Sequence, residues 1–282
     1  MSVSTIGIIG AGVMGSGIAQ VAAMKGINVV LLDVDEKAVR KGIDAVEGRL
    51  GKVVAKNKMT SAEKEAAVGR IKGTTAYEGL KPAGVIIEAA TEDYDLKTRI
   101  LKQVDTLVGA ESIVASNTSS VSITKLASAM SHPDRFVGLH FFNPVPVMSL
   151  VEIVRGLETS DATHDAAAAL AAQLGKSPIT VKSAPGFVVN RILLPMINEA
   201  FFVLAEGYAS AEDIDKGMTL GCNHPIGPLA LADLIGLDVL LSVMQILHDE
   251  FADSKYRPCP LLKELVAAGH LGRKSGRGVF SY

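Results

Sequence analysis

A histidine and a glutamate in two neighbouring apolar segments are the residues of this chain best suited to proton transfer. His140 lies in GLHFFNP, residues 138–144, and Glu152 lies in LVEIV, residues 150–154. Because histidine titrates near neutral pH, His140 can take a proton from a hydroxyl group and return it in the reverse direction. A carboxylate that accepts from the other ring nitrogen would fix the tautomer and stabilise the charged ring. The two residues therefore predict general acid–base chemistry.

Two further polar residues, Ser119 and Asn190, could hold the oxygen atoms of a substrate. All four candidates also have ordinary structural interpretations. His140 lies among apolar neighbours, as a hydrogen-bonded core histidine would, and Glu152 could be a strand residue that faces solvent. Ser119 and Asn190 could each be a helix cap. The residue types alone leave both interpretations open.

The elements that could position this chemistry begin at residues 5–33, which read as strand, glycine turn, helix, strand and acid. Gly10 permits the tight turn, Gly12 lets the backbone approach a pyrophosphate, and Gly15 lets the helix pack against the strand. The positive end of this helix would face the phosphates. Asp33 follows Gly10 by 23 residues, where an acid can bind ribose hydroxyls. The arrangement predicts a dinucleotide-binding unit; the alternatives are an ordinary strand–turn–helix and, for Asp33, a turn or helix N-cap.

The residues around Asp33 favour NAD over NADP. The Asp33 carboxylate would repel a 2′-phosphate, and residues 34–36 add acid rather than an arginine that could bind one. Lys37 and Arg40 follow closely and are the basic groups nearest to this position. We therefore expect NAD(H) as the cofactor.

The composition argues against several classes of protein. Of 282 residues, 48% are hydrophobic and 21% charged, and the formal net charge is −2, so we expect a large core and no nucleic-acid partner. Cys222 and Cys259 form no CxxC motif, which predicts a reducing, cytoplasmic compartment and no metal site. The first basic residue is Lys25, which argues against a signal peptide. The apolar stretch 226–247 contains two aspartates and predicts two buried helices rather than a membrane span.

Strand-like and helical patterns alternate through the first two thirds of the chain. They include long helices at 35–58 and 95–108, with a short helix capped by Ser61 between them. Beyond this part almost only helical patterns follow. The expected fold class is α/β, with a Rossmann-type doubly wound sheet in domain 1–183 and an all-α domain at 184–282. The helical domain has more apolar faces than it can bury alone, which predicts a homodimer.

Five motifs, taken together, are more specific than any one of them. GAGVMG, ASNTSS, GLHFFNPVPVM, LVEIV and APGFVVNRIL occur in this order and spacing. They closely resemble the 3-hydroxyacyl-CoA dehydrogenase family, most of all its short bacterial members that act on 3-hydroxybutyryl-CoA, and the resemblance covers essentially the whole chain. It implies a Rossmann domain, a helical dimerisation domain, NAD, and a 3-hydroxyacyl-CoA/3-ketoacyl-CoA substrate pair. The chain carries no fused enoyl-CoA hydratase, so it resembles the monofunctional members.

The resemblance implies roles for the positions that match the family's motifs. His140 and Glu152 would be the catalytic pair, and Ser119 and Asn190 would position the substrate. The residues implied at the cofactor are Gly10, Ala11, Gly12, Val13, Met14, Gly15, Asp33, Glu92, Lys97, Asn143 and Lys274.

Two lysines suit the phosphates of coenzyme A. Lys52 and Lys56 are four residues apart in the first long predicted helix, so they would share a helix face. The alternative is a solvated lysine face. Asn143 likewise has an alternative as a turn residue, because it precedes a proline.

Two other functions fit parts of the sequence. One is an NAD(P)-dependent dehydrogenase of a free β-hydroxy acid, which would use a catalytic lysine in the second domain. HFFNP together with LVEIV argues against it. The other is a non-catalytic, crystallin-like relative that kept the fold. The simultaneous presence of Ser119, His140, Glu152 and Asn190 argues against that function.

Overall fold

The chain folds into two compact units in the computed structural model, which describes residues 3–109 and 111–282. The first unit ends at Ala184, and the second spans Pro185–Tyr282. Each unit has its own cluster of buried apolar side chains, as independent domains require. The boundary lies one residue later than the position expected from the sequence.

The first unit contains an eight-stranded sheet flanked by helices. The strands are β1 (Thr5–Ile9), β2 (Asn28–Leu32), β3 (Ile71–Thr74), β4 (Val85–Glu88), β5 (Ile113–Ser116), β6 (Phe136–Phe141), β7 (Leu150–Arg155) and β8 (Ser177–Lys182). The helices are α1 (Val13–Met24), α2 (Glu36–Ala55), α3 (Ser61–Gly69), α4 (Tyr94–Asp105), α5 (Ile123–Ala127) and α6 (Asp161–Gln173). Short 3₁₀ turns lie at Tyr77–Leu80 and Pro133–Arg135.

The strand order identifies the sheet as doubly wound. It runs β3-β2-β1-β4-β5-β6-β7-β8, and every neighbouring pair is parallel except β6 and β7. The direction of winding therefore reverses between β1 and β4. Sheets of this type bind ligands beyond the carboxyl ends of the strands at such a reversal. The predicted Rossmann-type fold is confirmed, with one antiparallel pair added at its far side.

The central strands are apolar because both of their faces are covered. Ile6 and Ile8 in β1, and Ile86 and Ile87 in β4, are fully buried. Near-continuous apolar strands of this kind are typical of parallel sheets that carry helices on both sides. The segments that follow these strands are consequently held by a rigid frame at one edge of the sheet.

One end of α2 and the cap of α3 differ from the sequence expectations. α2 ends at Ala55, and Lys56 is its C-cap rather than a residue of the helix. α3 does begin at Ser61, but its cap is Thr60, whose hydroxyl accepts the N–H of Glu63. The Glu63 carboxylate accepts the N–H of Thr60 in return. This reciprocal pair satisfies two N–H groups that the helix itself leaves without partners.

The second unit consists of helices and a short C-terminal segment. The helices are α7 (Val189–Ala205), α8 (Ala211–Gly221), α9 (Pro228–Ile235), α10 (Leu237–Phe251) and α11 (Pro260–Ala267), with 3₁₀ turns at Ser254–Tyr256 and Arg273–Ser275. The buried carboxylate of Asp233 accepts the N–H groups of Val279 and Phe280 and the hydroxyl of Tyr282. One side chain of α9 therefore holds the last turn of the chain in place.

The apolar stretch around residue 236 forms two helices that meet at a sharp bend. α9 and α10 are inclined at 98° to each other. Over the part of the chain that the structure describes, no single helix is long and apolar enough to cross a membrane. α9 and α10 reach the necessary length and apolar content only when they are counted together.

Candidate active site

The antiparallel pairing of β6 and β7 brings His140 and Glu152 together. The two residues are direct partners in the register of these strands, so their side chains lie on the same face. His140 Nδ1 and Glu152 Oε2 are 2.6 Å apart, and the two residues are 5% and 0% exposed. Glu152 therefore does not face solvent. A buried carboxylate at this distance orients the imidazole ring.

The glycine turn after β1 leaves space in front of α1. Gly10 has a φ of +102°, which glycine adopts readily, and a Cβ on Gly15 would collide with the Gly10 carbonyl oxygen. A Cβ on Gly12, by contrast, meets nothing within 4 Å. Among the described residues, no side chain caps the N-terminus of α1. An open, uncapped helix N-terminus next to a glycine fits the pyrophosphate of a dinucleotide.

Asp33 is tied to this turn rather than to a helix. Its Oδ2 accepts the N–H of Ala11 at 2.6 Å, and its Oδ1 accepts the N–H of Val34 at 2.7 Å. The N-cap of α2 is Asp35, whose carboxylate accepts the N–H of Ala38. The carboxylate of Asp33 is thereby held at the end of β2, beside the glycine turn, where a ribose would lie.

Glu92 organises the loop that carries Ser119. Its Oε1 accepts the N–H groups of Ser119 and Ser120, both at 2.9 Å, and the hydroxyl groups of Thr118, Ser119 and Ser120. Burial raises the pKa of Glu92, but the charge of Lys97 and these donors outweigh it and lower the pKa below its ordinary value. Ser119 is consequently held by a charged acceptor and is not a helix N-cap.

Lys97 is a buried residue, 1% exposed, and its ammonium group lies among carboxylates. It is 2.9 and 3.0 Å from the two oxygens of Glu88 and 3.4 Å from Glu92 Oε2. Glu88, at the end of β4, also accepts the hydroxyl of Ser116 and the N–H of Ala90. Glu88 therefore connects the ends of β4 and β5 with Lys97 of α4. Sequence reasoning missed Glu88; an acid closing an otherwise apolar strand was the available signal.

The end of β6 is fixed by a second residue that sequence reasoning missed. Asn117 accepts the N–H of Phe141 through its side-chain oxygen at 2.9 Å. Phe142 then packs its ring against the imidazole of His140, with centroids 4.5 Å apart. Asn143 follows, exposed, and its peptide bond to Pro144 is cis. Asn117 thus connects the loop of Ser119 with the strand of His140.

The remaining predicted residues lie elsewhere in their units. Lys52, in the last turn of α2, and Lys56 after it are both exposed. In the second unit, Asn190 lies in the first turn of α7, whose N-cap is Val188, so Asn190 is not a cap. Lys274 forms an ion pair with Asp238, with distances of 2.5 and 2.7 Å to its two oxygens.

Metal-ligating side chains do not gather anywhere in residues 3–109 and 111–282 in groups of three or more. The polar groups described above centre on the His140–Glu152 pair and on the glycine turn after β1.

Known proteins that resemble this chain do so over its full length. The 3-hydroxyacyl-CoA dehydrogenase NAD binding domain matches residues 5–184, and the 3-hydroxyacyl-CoA dehydrogenase C-terminal domain matches residues 186–282. A 3-hydroxybutyryl-CoA dehydrogenase of Bradyrhizobium diazoefficiens is 49% identical over 280 residues, which cover 99% of this chain and 96% of the relative. A probable 3-hydroxybutyryl-CoA dehydrogenase of Bacillus subtilis is 48% identical over 282 residues, covering 100% and 98%.

A solved structure shows the same architecture. The crystal structure of (S)-3-hydroxybutyryl-CoA dehydrogenase from Ralstonia eutropha has a TM-score of 0.97 and 63% sequence identity to this chain, covering 100% of this chain and 99% of that one. The two matched family domains follow the same order as the two structural units, and the first is an NAD-binding domain. The resemblance inferred from the five motifs is confirmed: this chain belongs to the 3-hydroxyacyl-CoA dehydrogenase family.

Proposed function

We propose that this protein interconverts 3-hydroxybutyryl-CoA, as the (S) enantiomer, and acetoacetyl-CoA, with NAD(H) as the hydride carrier. The observation that carries the proposal is the buried His140–Glu152 pair, 2.6 Å apart, on two strands of the same sheet that carries the glycine turn after β1. The names of the relatives supply the substrate class. The free β-hydroxy acid and the crystallin-like alternatives have no comparable support.

The cofactor is held by the glycine turn and the residues around it. NAD⁺, when bound, supplies the acceptor for the hydride that leaves C3 of the substrate. The N–H groups at the start of α1 bind its pyrophosphate, and Gly12 permits the close approach. Asp33 binds the ribose hydroxyls on the adenosine side. The other residues assigned to cofactor binding are Gly10, Ala11, Val13, Met14, Gly15, Glu92, Lys97, Asn143 and Lys274.

Proton transfer is the task of His140. In oxidation, Nε2 takes the proton of the 3-hydroxyl group as the C3 hydride departs, and in reduction the imidazolium returns that proton to the 3-keto oxygen. Glu152 accepts from Nδ1–H, which keeps Nε2 directed towards the substrate and stabilises the positive ring. Ser119 and Asn190 hold the substrate oxygen atoms in the geometry for hydride transfer.

Coenzyme A and the second copy of the chain are the expected partners. Lys52 and Lys56 bind the phosphates of coenzyme A, since both side chains are exposed and basic. The helical unit forms a homodimer, because it exposes large apolar side chains such as Ile192 and Leu220, which are 68% and 76% exposed. The enzyme acts in the cytoplasm, without a nucleic-acid or membrane partner. Light scattering that gave only a 29.5 kDa species at micromolar concentration would reject the dimer.

The decisive experiment is turnover of acetoacetyl-CoA with NADH, followed by the loss of NADH absorbance. Wild-type protein should turn over acetoacetyl-CoA and not free acetoacetate. His140→Gln should lower kcat by roughly 10²–10⁴, the usual cost of losing a positioned acid–base, while NADH binding is retained. His248→Gln is the matched control, because that histidine is partly exposed on α10. Near-wild-type turnover by a folded His140→Gln protein would overturn the mechanism.

A further inference from the structure

The loop between β6 and β7, residues 142–149, connects the strand of His140 to the strand of Glu152 and carries Asn143. Much of it is exposed: Val147 is 75% exposed and Met148 is 40% exposed. An exposed loop with few apolar contacts is mobile unless other groups hold its backbone. The position of Asn143 therefore depends on what anchors this loop.

Lys176, the residue before β8, provides two anchors for this loop. Its ammonium group donates to the carbonyl oxygens of Val145, at 2.6 Å, and Met148, at 2.7 Å. Hydrogen bonds from a charged donor are roughly twice as strong as those between neutral groups. The N–H of Ser177 adds a third bond, to the carbonyl of Ser149. The two carbonyls that Lys176 binds lie after Asn143, on the turn that leads the chain back into β7.

The same loop packs against the helix of the glycine turn. Val145 is 2% exposed, and it lies so close to Gly17 in α1 that a Cβ on Gly17 would come within 3.0 Å of it. Val145 thus connects α1, which begins at the pyrophosphate site, to the carbonyl that Lys176 holds. Val145 is therefore held by α1 through its side chain and by Lys176 through its carbonyl oxygen. Asn143 lies two residues before Val145.

Lys176 is held in this position at an energetic cost. Burial lowers its pKa, and the positive charge of Lys25 lowers it further. The side chain of a lysine just before an edge strand could extend into water instead, where it would keep its full hydration and its rotamer freedom. The bonds to Val145 and Met148 are what offset this cost.

We propose that Lys176 is a positioning residue for the nicotinamide end of the bound dinucleotide, acting through the loop that carries Asn143. The inference rests on the proposed function, which assigns Asn143 to cofactor binding, and on the family resemblance, which implies that Asn143 lies on the nicotinamide side. The adenosine end is held by Asp33 and the glycine turn, which Lys176 does not contact. Loss of the ammonium group should consequently weaken binding of the nicotinamide half of the dinucleotide and leave the adenosine half unchanged.

Two ligands distinguish binding of the nicotinamide half from binding of the adenosine half. NADH engages both, whereas ADP-ribose lacks the nicotinamide. In Lys176→Met, the Kd for NADH should rise at least roughly tenfold, the lower end of the cost of one lost hydrogen bond to a charged group, while the Kd for ADP-ribose should stay within about twofold. Lys176→Arg, which keeps the charge and can still donate to carbonyls, should restore NADH binding to within about threefold. Lys25→Met is the matched control, because it removes the neighbouring positive charge without touching the loop.

The outcomes are distinct. A Lys176→Met protein that binds both ligands as tightly as the wild type, or one that loses affinity for both equally, would overturn the inference and leave the proposed function standing. Equal weakening by Lys25→Met would also overturn it, because charge alone would then explain the effect. Wild-type protein that bound neither ligand would instead overturn the proposed function. If Lys176→Met does not fold, Lys176→Gln replaces it under the same expectations.

Discussion

Replacing Gly12 by alanine should weaken binding of the dinucleotide and leave the stability of the fold almost unchanged. A Cβ at this position meets nothing within 4 Å, and the φ of −65° is ordinary for alanine. Two small effects on folding oppose each other. Alanine is a poorer N-cap than glycine by about 1 kcal/mol, and it stabilises through the unfolded chain by about 0.4–1 kcal/mol. The melting temperature should therefore change by less than about 4 °C.

Binding of the dinucleotide should change far more. The added methyl group projects into the space in front of α1, where the pyrophosphate would lie against the backbone of Gly12. One lost hydrogen bond between an N–H group and a charged phosphate oxygen costs about 1.5–3 kcal/mol. The Kd for NADH should rise by roughly 10- to 150-fold.

The assay combines thermal unfolding of the ligand-free protein with a fluorescence titration of NADH. Gly15→Ala is the matched control, because its Cβ would collide with the carbonyl oxygen of Gly10 and force the backbone to move. That variant should lose about 3 kcal/mol or more of stability. A Gly12→Ala protein that binds NADH as tightly as the wild type would refute the placement of the pyrophosphate. A Gly12→Ala protein with a melting temperature as low as that of Gly15→Ala would refute the statement that a Cβ at residue 12 meets no other part of the fold.

Three further outcomes are expected. Glu152→Gln should lower kcat, and the double variant with His140→Gln should be little slower than His140→Gln alone, as steady-state kinetics would show if the two act as one unit. Because the pKa of Glu92 is lowered in the folded protein, its stabilising contribution is present at neutral pH and lost as the pH falls through the folded-state pKa. Glu92→Gln should therefore flatten the fall in melting temperature below about pH 4.5, in scans from pH 6 to about 3; an unchanged slope would contradict this. Lys56→Ala should raise KM for acetoacetyl-CoA at low salt and leave kcat nearly intact, and an unchanged KM would leave Lys56 as a solvated residue.

Local patterns in the sequence were sufficient to predict the helices and strands that position the candidate site. The glycine turn, α1 and β2 follow one another within 30 residues or so, and each has a pattern of its own. His140 and Glu152 lie on consecutive strands, so a short connection makes their pairing the simplest arrangement. The Rossmann-type order was predicted on different grounds, because alternating strand and helix patterns are typical of a parallel sheet with crossover helices.

Contacts between distant segments could not be predicted in this way. Glu88 meets Ser116 because β4 and β5 are parallel neighbours, and nothing in either segment indicates the partner. Lys176 reaches Val145 across 31 residues, through a side chain that on its own looks like a solvated lysine. The end of α2 before Lys56 was missed because helix ends depend on local competition among caps.

The antiparallel strands of His140 and Glu152 also set an order of assembly. These two residues are 12 positions apart, whereas Ile6 and Val85, which pair across the reversal between β1 and β4, are 79 positions apart. Closing the shorter loop costs about 1.6 kcal/mol less chain entropy than closing the longer one. During folding, the hairpin that unites the acid–base pair can thus form before the strands on either side of the nucleotide turn have met. The proposed proton-transfer pair thus lies in one of the most local pieces of tertiary structure in the first unit, whereas the β1–β4 pairing beside the glycine turn is one of the least local.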